Sequence, residues 1–196
     1  VATNADIDGT KRTCCVGINN RKAARIAGRL MGQFLGGTGK IAVVSSAIAS
    51  ENNNYYVQVR ETEFADFIHK EYPDIKIITT LDSFEDPQIT YEKTVKLLRD
   101  YQDLQGIYIT CGGVSQVGRA LEESGRAKDI RVISFEDYPE VVDLIRKDVI
   151  DCTLAGELQQ QGEIPVQIIM DYLVFGKEPE QQQIFTDIRV LVKESL

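Results

Sequence analysis

The sequence predicts an α/β protein built on a doubly wound parallel sheet. Short Val/Ile-rich runs of strand length alternate repeatedly with segments of helical period, and each run is bounded by turn or charged residues. The 196 residues are 43% hydrophobic, enough for one large domain or two small lobes, each with a real core. No internal repeat, low-complexity stretch or flexible linker interrupts the pattern.

The elements follow in order. The strand run RTCCVGI leads to Asn19-Asn20, an N-cap signal, and then to a helix over 21–35 that closes at Gly36-Gly37. KIAVVSS is the next strand, and a helix over 55–71 stops at the sequence YPD. IKIITTL precedes a helix over 88–100, and GIYITC precedes one over 114–124, where Val117, Ala120 and Leu121 share a stripe. RVISFE is followed by the helical segment YPEVVDLIRKD, and VIDCTL by a helix over 159–175 that ends at Gly176. IRVLVKE is the last strand. Strand and helix alternating at this spacing argue for helices on both faces of a parallel sheet.

The segment FLGGTGKIAVV raises the question of a nucleotide phosphate. A phosphate-binding loop needs a strand, then G-x-x-x-x-G-K-[ST], then a helix whose N-terminus receives the anion. Here the order is reversed, Phe34 stands where the first glycine belongs, and Ile41 replaces the hydroxyl residue. The glycines are expected to supply positive φ at a helix end, with Lys40 complementing the helix dipole. CGGVSQVG likewise fails the dinucleotide pattern G-x-G-x-x-G.

With 22 basic against 30 acidic residues, a net charge of −8, the chain has no electrostatic footprint for nucleic acid. Cys14, Cys15, Cys111 and Cys152 lack metal-ligand spacing, and the single histidine, His69, does not complete a zinc site. Reduced, buried thiols in a cytosolic protein are the expectation. His69 sits on an amphipathic helix away from the strand ends, Glu136 and Asp137 are sequence neighbours that diverge in space, and no nucleophile elbow is present. Neither an enzyme, a metal site nor a cofactor is expected, and no apolar run approaches a membrane span.

In an open parallel sheet, ligands bind outside the carboxyl ends of the strands. After KIAVVSS come Asn52, Asn53, Asn54, two tyrosines and then Arg60. After GIYITC come Gly112 and Gly113, after RVIS come Phe135, Glu136, Asp137 and Tyr138, and after VIDCTL come Ala155, Gly156 and Glu157. A guanidinium, carboxylates, amides and aromatic faces suit a neutral polyhydroxylated ligand better than a phosphate. Each also has a structural alternative: Arg60 as a solvated helix residue, Glu136 and Asp137 as helix caps, Phe135 as core, and the glycines as a tight turn.

The motifs VGINNRKAARIAGRLMGQFLGGTGKIAVVSS, R-x-x-x-F at Arg60 to Phe64, GIYITCGGVSQVGRALEESG, IRVISFED and LQQQGEIPVQIIMDYLVFGKEP run in a specific order over nearly the whole chain. In that order the sequence resembles the effector domain of LacI/GalR-type transcriptional regulators, a periplasmic-binding-protein-like type I fold shared with sugar-binding proteins of ABC transporters. The resemblance implies a C-terminal lobe plus part of the N-terminal lobe. Residues 1–39 would end the N-terminal lobe, 40–153 form the C-terminal lobe, 154–183 supply the returning N-terminal-lobe helix, and 184–196 the final strand of the C-terminal lobe. It further implies a fragment whose DNA-reading headpiece and first strands lie outside this sequence.

The function so implied is a cytoplasmic, homodimeric sensor whose lobes close on a small-molecule effector, a sugar or related polyol, and control DNA binding by an absent helix-turn-helix domain. The alternative is the exported, monomeric solute-binding component of a sugar ABC transporter. By the same resemblance Asn20 and Arg60 match polar ligand positions, and Glu136 falls where an aspartate usually binds hydroxyls, with Phe135 beside it. Two positions depart from the pattern: the family's Asn after GIYIT is Gly112, and its Gln before the returning helix is Gly156. Two lost amides remove about 2 to 6 kcal/mol of hydrogen bonding. The expectation is therefore a bulkier or more apolar ligand occupying the space that the glycines open.

Overall fold

A computed structural model describes residues 1–4, 6, 10–46 and 55–196. In chain order the first elements are β1 (Ala2–Thr3), β2 (Cys15–Ile18), α1 (Asn20–Phe34), β3 (Thr38–Ser45), α2 (Tyr55–Glu71), β4 (Asp74–Asp82), α3 (Pro87–Asp100) and β5 (Gly106–Ile109). There follow α4 (Val114–Ser124), β6 (Arg131–Phe135), α5 (Pro139–Arg146), β7 (Cys152–Gly156), α6 (Leu158–Phe175), β8 (Gln183–Thr186) and β9 (Ile188–Leu191), then a 3-10 turn at Lys193–Ser195. Strand and helix alternate through most of the chain, as the hydrophobic pattern predicts.

The chain divides into two compact units, one of Val1–Asn19 with Ala155–Arg189 and the other of Asn20–Leu154 with Val190–Leu196. The second unit carries a six-stranded sheet of order β4-β3-β5-β6-β7-β9. Its β3–β4, β3–β5, β5–β6 and β6–β7 pairings are all parallel. Alternation of side chains sends Ala42, Val44, Ile107, Ile109 and Val132 into one core with Leu97, Val117, Leu121 and Ile145 of α3, α4 and α5. On the other face Tyr108 of β5 stacks on Phe64 of α2 at 4.0 Å between ring centroids. Both rings are fully buried. Burial of each large apolar side chain contributes about 1.5–3 kcal/mol, so both faces are firmly covered.

The expected unit boundaries at 39/40 and 183/184 differ from the observed 19/20 and 189/190. The reason is the small-residue stripe Ala24, Gly28 and Gly32 on α1. A Cβ on Gly28 would stand 2.6 Å from the Phe67 ring, and one on Gly32 2.2 Å from the Tyr72 ring. Both rings come from α2 or its end, so α1 packs with the second unit. Glu63, half-way along α2 and buried, accepts from Arg25 at 2.9 and 3.1 Å and also pairs with Arg21, which ties the two helices by charge.

The first unit holds a three-stranded sheet of order β1-β2-β8, with both pairings parallel. The sequence reading missed β1 and β8: one has only two residues, and the other, QIFT, follows a run of glutamines. Within α6 only Gln161 and Pro165 are buried, whereas Val166, Ile169, Met170 and Leu173 are exposed.

The glycines after α1 behave as helix-end chemistry requires: Gly36 and Gly37 have φ of 63° and 87°, and the Gly37 N–H returns to Gly32 O at 2.9 Å. Lys40 does not serve the helix end. It lies in β3 and pairs with Asp103.

Candidate functional site

In the second unit the chain leaves β3 toward β4 on one side and β5 on the other, so the strand order switches between β3 and β5. The carboxyl edge at such a switch is where an open α/β sheet presents a ligand crevice. Most of the predicted site residues meet at this edge.

Arg60 is the centre of the cluster. It lies in the second turn of α2, and its side chain is only 12% exposed. Nε donates to Asn20 Oδ1 at 2.7 Å, and one terminal nitrogen donates to the Thr110 carbonyl, just past β5, at 3.1 Å. The other terminal nitrogen is 3.7 Å from the Glu136 carboxylate. The guanidinium also lies over the Phe135 ring, 4.0 Å from its centroid, a cation–π contact. Desolvation pulls its pKa below the ordinary guanidinium value, opposed by the nearby Tyr108, Glu136 and Cys111. The solvated-surface alternative for Arg60 is thereby set aside.

Phe135 is 2% exposed and ends β6, so it is core and also the floor under the guanidinium. Glu136 follows in the left-handed region, φ 69°. Its backbone is held on both sides, N–H to Leu154 O at 2.8 Å and carbonyl from Thr153 Oγ1 at 2.7 Å. A non-glycine residue in this conformation persists only where its surroundings over-determine it, and here β7 does so. The cap of α5 is Tyr138, without a side-chain bond, so helix capping does not explain Glu136.

Asn20 sits at the first position of α1, and its side-chain oxygen is spent on Arg60. It orients the guanidinium. Gly112 is exposed, and nothing stands within 4 Å of a Cβ built on it, so the space expected there is open. Gly113 has φ 91° and begins α4.

Gly156 belongs to the first unit, and there the expectation of open space is wrong. A Cβ on Gly156 would lie 2.1 Å from Nε2 of Gln161 and 2.8 Å from Cγ2 of Ile18. The carboxamide of Gln161 fills the place that Gly156 leaves.

Sequence reasoning passed over the loop after β4, because the strand order that sets β4 beside β3 was not known. There Ser46 Oγ donates to Glu85 Oε1 at 3.0 Å, and Ser83 Oγ lies 3.4 Å from Cys111 Sγ. Burial pushes the Cys111 thiol up from its ordinary pKa of 9.0. The turn signal DSFED after IKIITTL was the available clue. Asn52, Asn53 and Asn54 lie outside the described residues. His69 is exposed on α2.

Chemically, the edge sets a donor beside an acceptor. Among the described residues, two of the five guanidinium N–H groups donate, to Asn20 and Thr110, which leaves donors on both terminal nitrogens, one of them 3.7 Å from Glu136. The Glu136 carboxylate, 36% exposed, accepts. A hydroxyl group, which both donates and accepts, matches such a pair. Among the described residues no group of three or more His, Cys, Asp or Glu side chains is placed to hold a metal ion.

A family model described as a periplasmic binding protein domain matches residues 1–178. Three solved structures are similar in fold. GanP, a glucose-galactose binding protein from Geobacillus stearothermophilus, superposes with TM-score 0.86 at 23% identity over 98% of this chain and 67% of that one. A sugar ABC transporter sugar-binding protein from Bacillus halodurans gives 0.85 at 27% identity over 95% and 66%. AraP, an arabinose binding protein from Geobacillus stearothermophilus, gives 0.83 at 25% over 95% and 65%. The chain therefore spans about two thirds of the length of these proteins.

Proposed function

The chain belongs to the periplasmic binding protein domain family, and from that premise we propose that it binds a neutral sugar or polyol reversibly, as part of the solute-binding component of a sugar ABC transporter. The observation that carries this reading is the Arg60 cluster, in which a largely buried guanidinium on Phe135 faces Glu136 at the carboxyl edge of a parallel sheet. Fixed donors and acceptors of this kind recognise hydroxyl groups. The reading is one of binding, not catalysis.

The three similar structures named above are sugar-binding proteins, one of them the sugar-binding protein of an ABC transporter. The similarity thus favours the transporter side of the two functions the sequence suggests. The DNA headpiece and the homodimer of the regulator reading gain no support from it. One observation favours the second reading, a cytoplasmic regulator's sensor: all four cysteines are buried and none forms a disulfide. The encoded sequence upstream of Val1 separates the two, an export signal supporting one and a basic helix-turn-helix the other.

Thermal-shift assays and calorimetric titrations with D-glucose, D-galactose and L-arabinose test the binding reading. A stabilisation that grows with the logarithm of ligand concentration and reaches about 2.7 kcal/mol at a hundred times Kd is expected for a true ligand. Arg60→Ala is expected to abolish it. No stabilisation by any pentose, hexose or polyol would overturn the proposal.

A further inference from the structure

In the second unit we propose that Glu85 is a specificity-determining residue: its carboxylate admits an uncharged sugar or polyol to the Arg60 edge and turns away one that carries a carboxylate of its own. The proposal rests on the sugar-binding reading above and narrows its ligand class through a residue on the loop after β4.

Two consecutive non-glycine residues, Phe84 and Glu85, stand in the left-handed region with φ of 53° and 54°. Such a backbone persists only where its surroundings over-determine it, and strain of this kind gathers at ligand clamps. Here the turn is held at every residue. Ser83 N–H donates to Ser45 O at 2.7 Å, Phe84 N–H to Asp82 Oδ1 at 3.0 Å, Glu85 N–H to Ser83 Oγ at 3.2 Å and Asp86 N–H to Ser83 O at 3.0 Å. The two side chains have separate partners. Phe84 lies under Lys93, whose Nζ is 4.5 Å from the ring centroid and donates to Asp82 O at 2.6 Å. Glu85 goes to the carboxyl edge, where its Oε1 accepts from Ser46 Oγ, just past β3, at 3.0 Å.

A neutral amide would serve Ser46 equally, so what the carboxylate adds is charge. Among the described residues no hydrogen bond or ion pair reaches its second oxygen, and Lys93, the cation beside the turn, is directed to Phe84 and Asp82. Along the edge the strand ends run β4, β3, β5, β6. Glu85 is anchored past the end of β3, and the Arg60 guanidinium, with Glu136 3.7 Å away, is anchored on the Thr110 carbonyl past β5. Neighbouring strands lie about 4.8 Å apart, so one small ligand can meet both carboxylates. The charge of Glu85 also reaches Cys111: burial first, and Glu85 after it, push that thiol up. Of these three groups Arg60 offsets only one carboxylate, which leaves negative charge in excess. A hydroxyl finds an acceptor in Glu85. A carboxylate finds like charge in a partly desolvated site, a repulsive element of the kind that sets specificity.

The test is calorimetric titration of D-glucose, D-galactose and L-arabinose, and of D-glucuronate and D-galacturonate, into the wild-type chain and Glu85→Gln. Glutamine keeps the volume and the acceptor for Ser46 and removes the charge. Wild type is expected to take at least one neutral sugar and to bind both uronates at least tenfold more weakly than the best of them. Glu85→Gln is expected to gain at least tenfold in affinity for a uronate, about 1.4 kcal/mol. Such a gain is a result that neither a damaged fold nor lost packing yields. If Glu85→Gln gains less than tenfold toward both uronates, or fails to fold, Glu85 serves the structure alone and only this inference falls. Wild-type affinity for a uronate within tenfold of that for the best neutral sugar, or above it, likewise overturns the inference and leaves the sugar reading standing. If the wild-type chain binds none of the five compounds, the inference falls together with the reading it rests on.

Discussion

Arg60 Nε donates to Asn20 Oδ1 at 2.7 Å, so the first residue of α1 fixes a largely buried guanidinium at the carboxyl edge of the larger sheet. The sequence resemblance suggests Asn20 as a ligand contact, whereas the geometry makes it the residue that aims Arg60. A hydrogen bond to a charged group contributes about 1.5–3 kcal/mol. Asn20→Ala is therefore expected to weaken sugar binding about tenfold or more, measured by calorimetry. In an Arg60→Ala background the same substitution should change little, because its effect acts through the guanidinium.

Arg60→Lys separates charge from shape. A lysine keeps the positive charge but lacks the planar fork that reaches Asn20, the Thr110 carbonyl and the Phe135 face together. Binding is expected to fall by about tenfold or more, with the melting temperature of the unliganded chain close to wild type. Near-wild-type affinity would mean that charge alone is recognised.

The strand and helix pattern was legible because each buried run is Val/Ile-rich and each helix ends on glycine, proline or a charge. Helices α2 and α4 coincide with their predicted spans. What the sequence could not show is which elements share a unit. The stripe Ala24, Gly28 and Gly32 reads as an ordinary small-residue helix until the Phe67 and Tyr72 rings are seen against it. Site residues followed the same logic. Arg60, Phe135 and Glu136 follow from applying the strand-end rule, whereas Glu85 needed the strand order.

Gly112 and Gly113 make a paired prediction about the loop after β5. Gly113 has φ 91°, and a Cβ on it would stand 2.8 Å from Thr90 Cγ2, so Gly113→Ala meets both backbone strain and a clash. It should lose about 1–3 kcal/mol of stability, read as a lower melting temperature. Gly112 has open space about its Cβ, and Gly112→Ala should stay within about 0.5 kcal/mol of wild type. Equal losses at the two positions would contradict the described turn.

Cys152 sets a limit on alkaline stability. Burial pushes its thiol up from the ordinary 9.0 to about 12, and the neighbouring charge of Asp151 adds to the shift. In the unfolded chain the same thiol ionises near its ordinary value. A raised pKa in the folded state means that its contribution is fully present below about pH 9 and is lost as pH rises from there toward 12. The slope from this one thiol is at most about 1.4 kcal/mol per pH unit. Burial shifts Tyr108 and Cys111 in the same direction, so the wild-type chain alone does not isolate the effect. Urea unfolding of wild type and Cys152→Ala at pH 7, 9 and 10.5 does: the stability difference between them should change by about 1–2 kcal/mol across the upper interval and hardly at all across the lower one. At neutral pH the four buried thiols of the native chain should also resist alkylation until urea is added, and rapid labelling of Cys152 under native conditions would contradict its burial in β7.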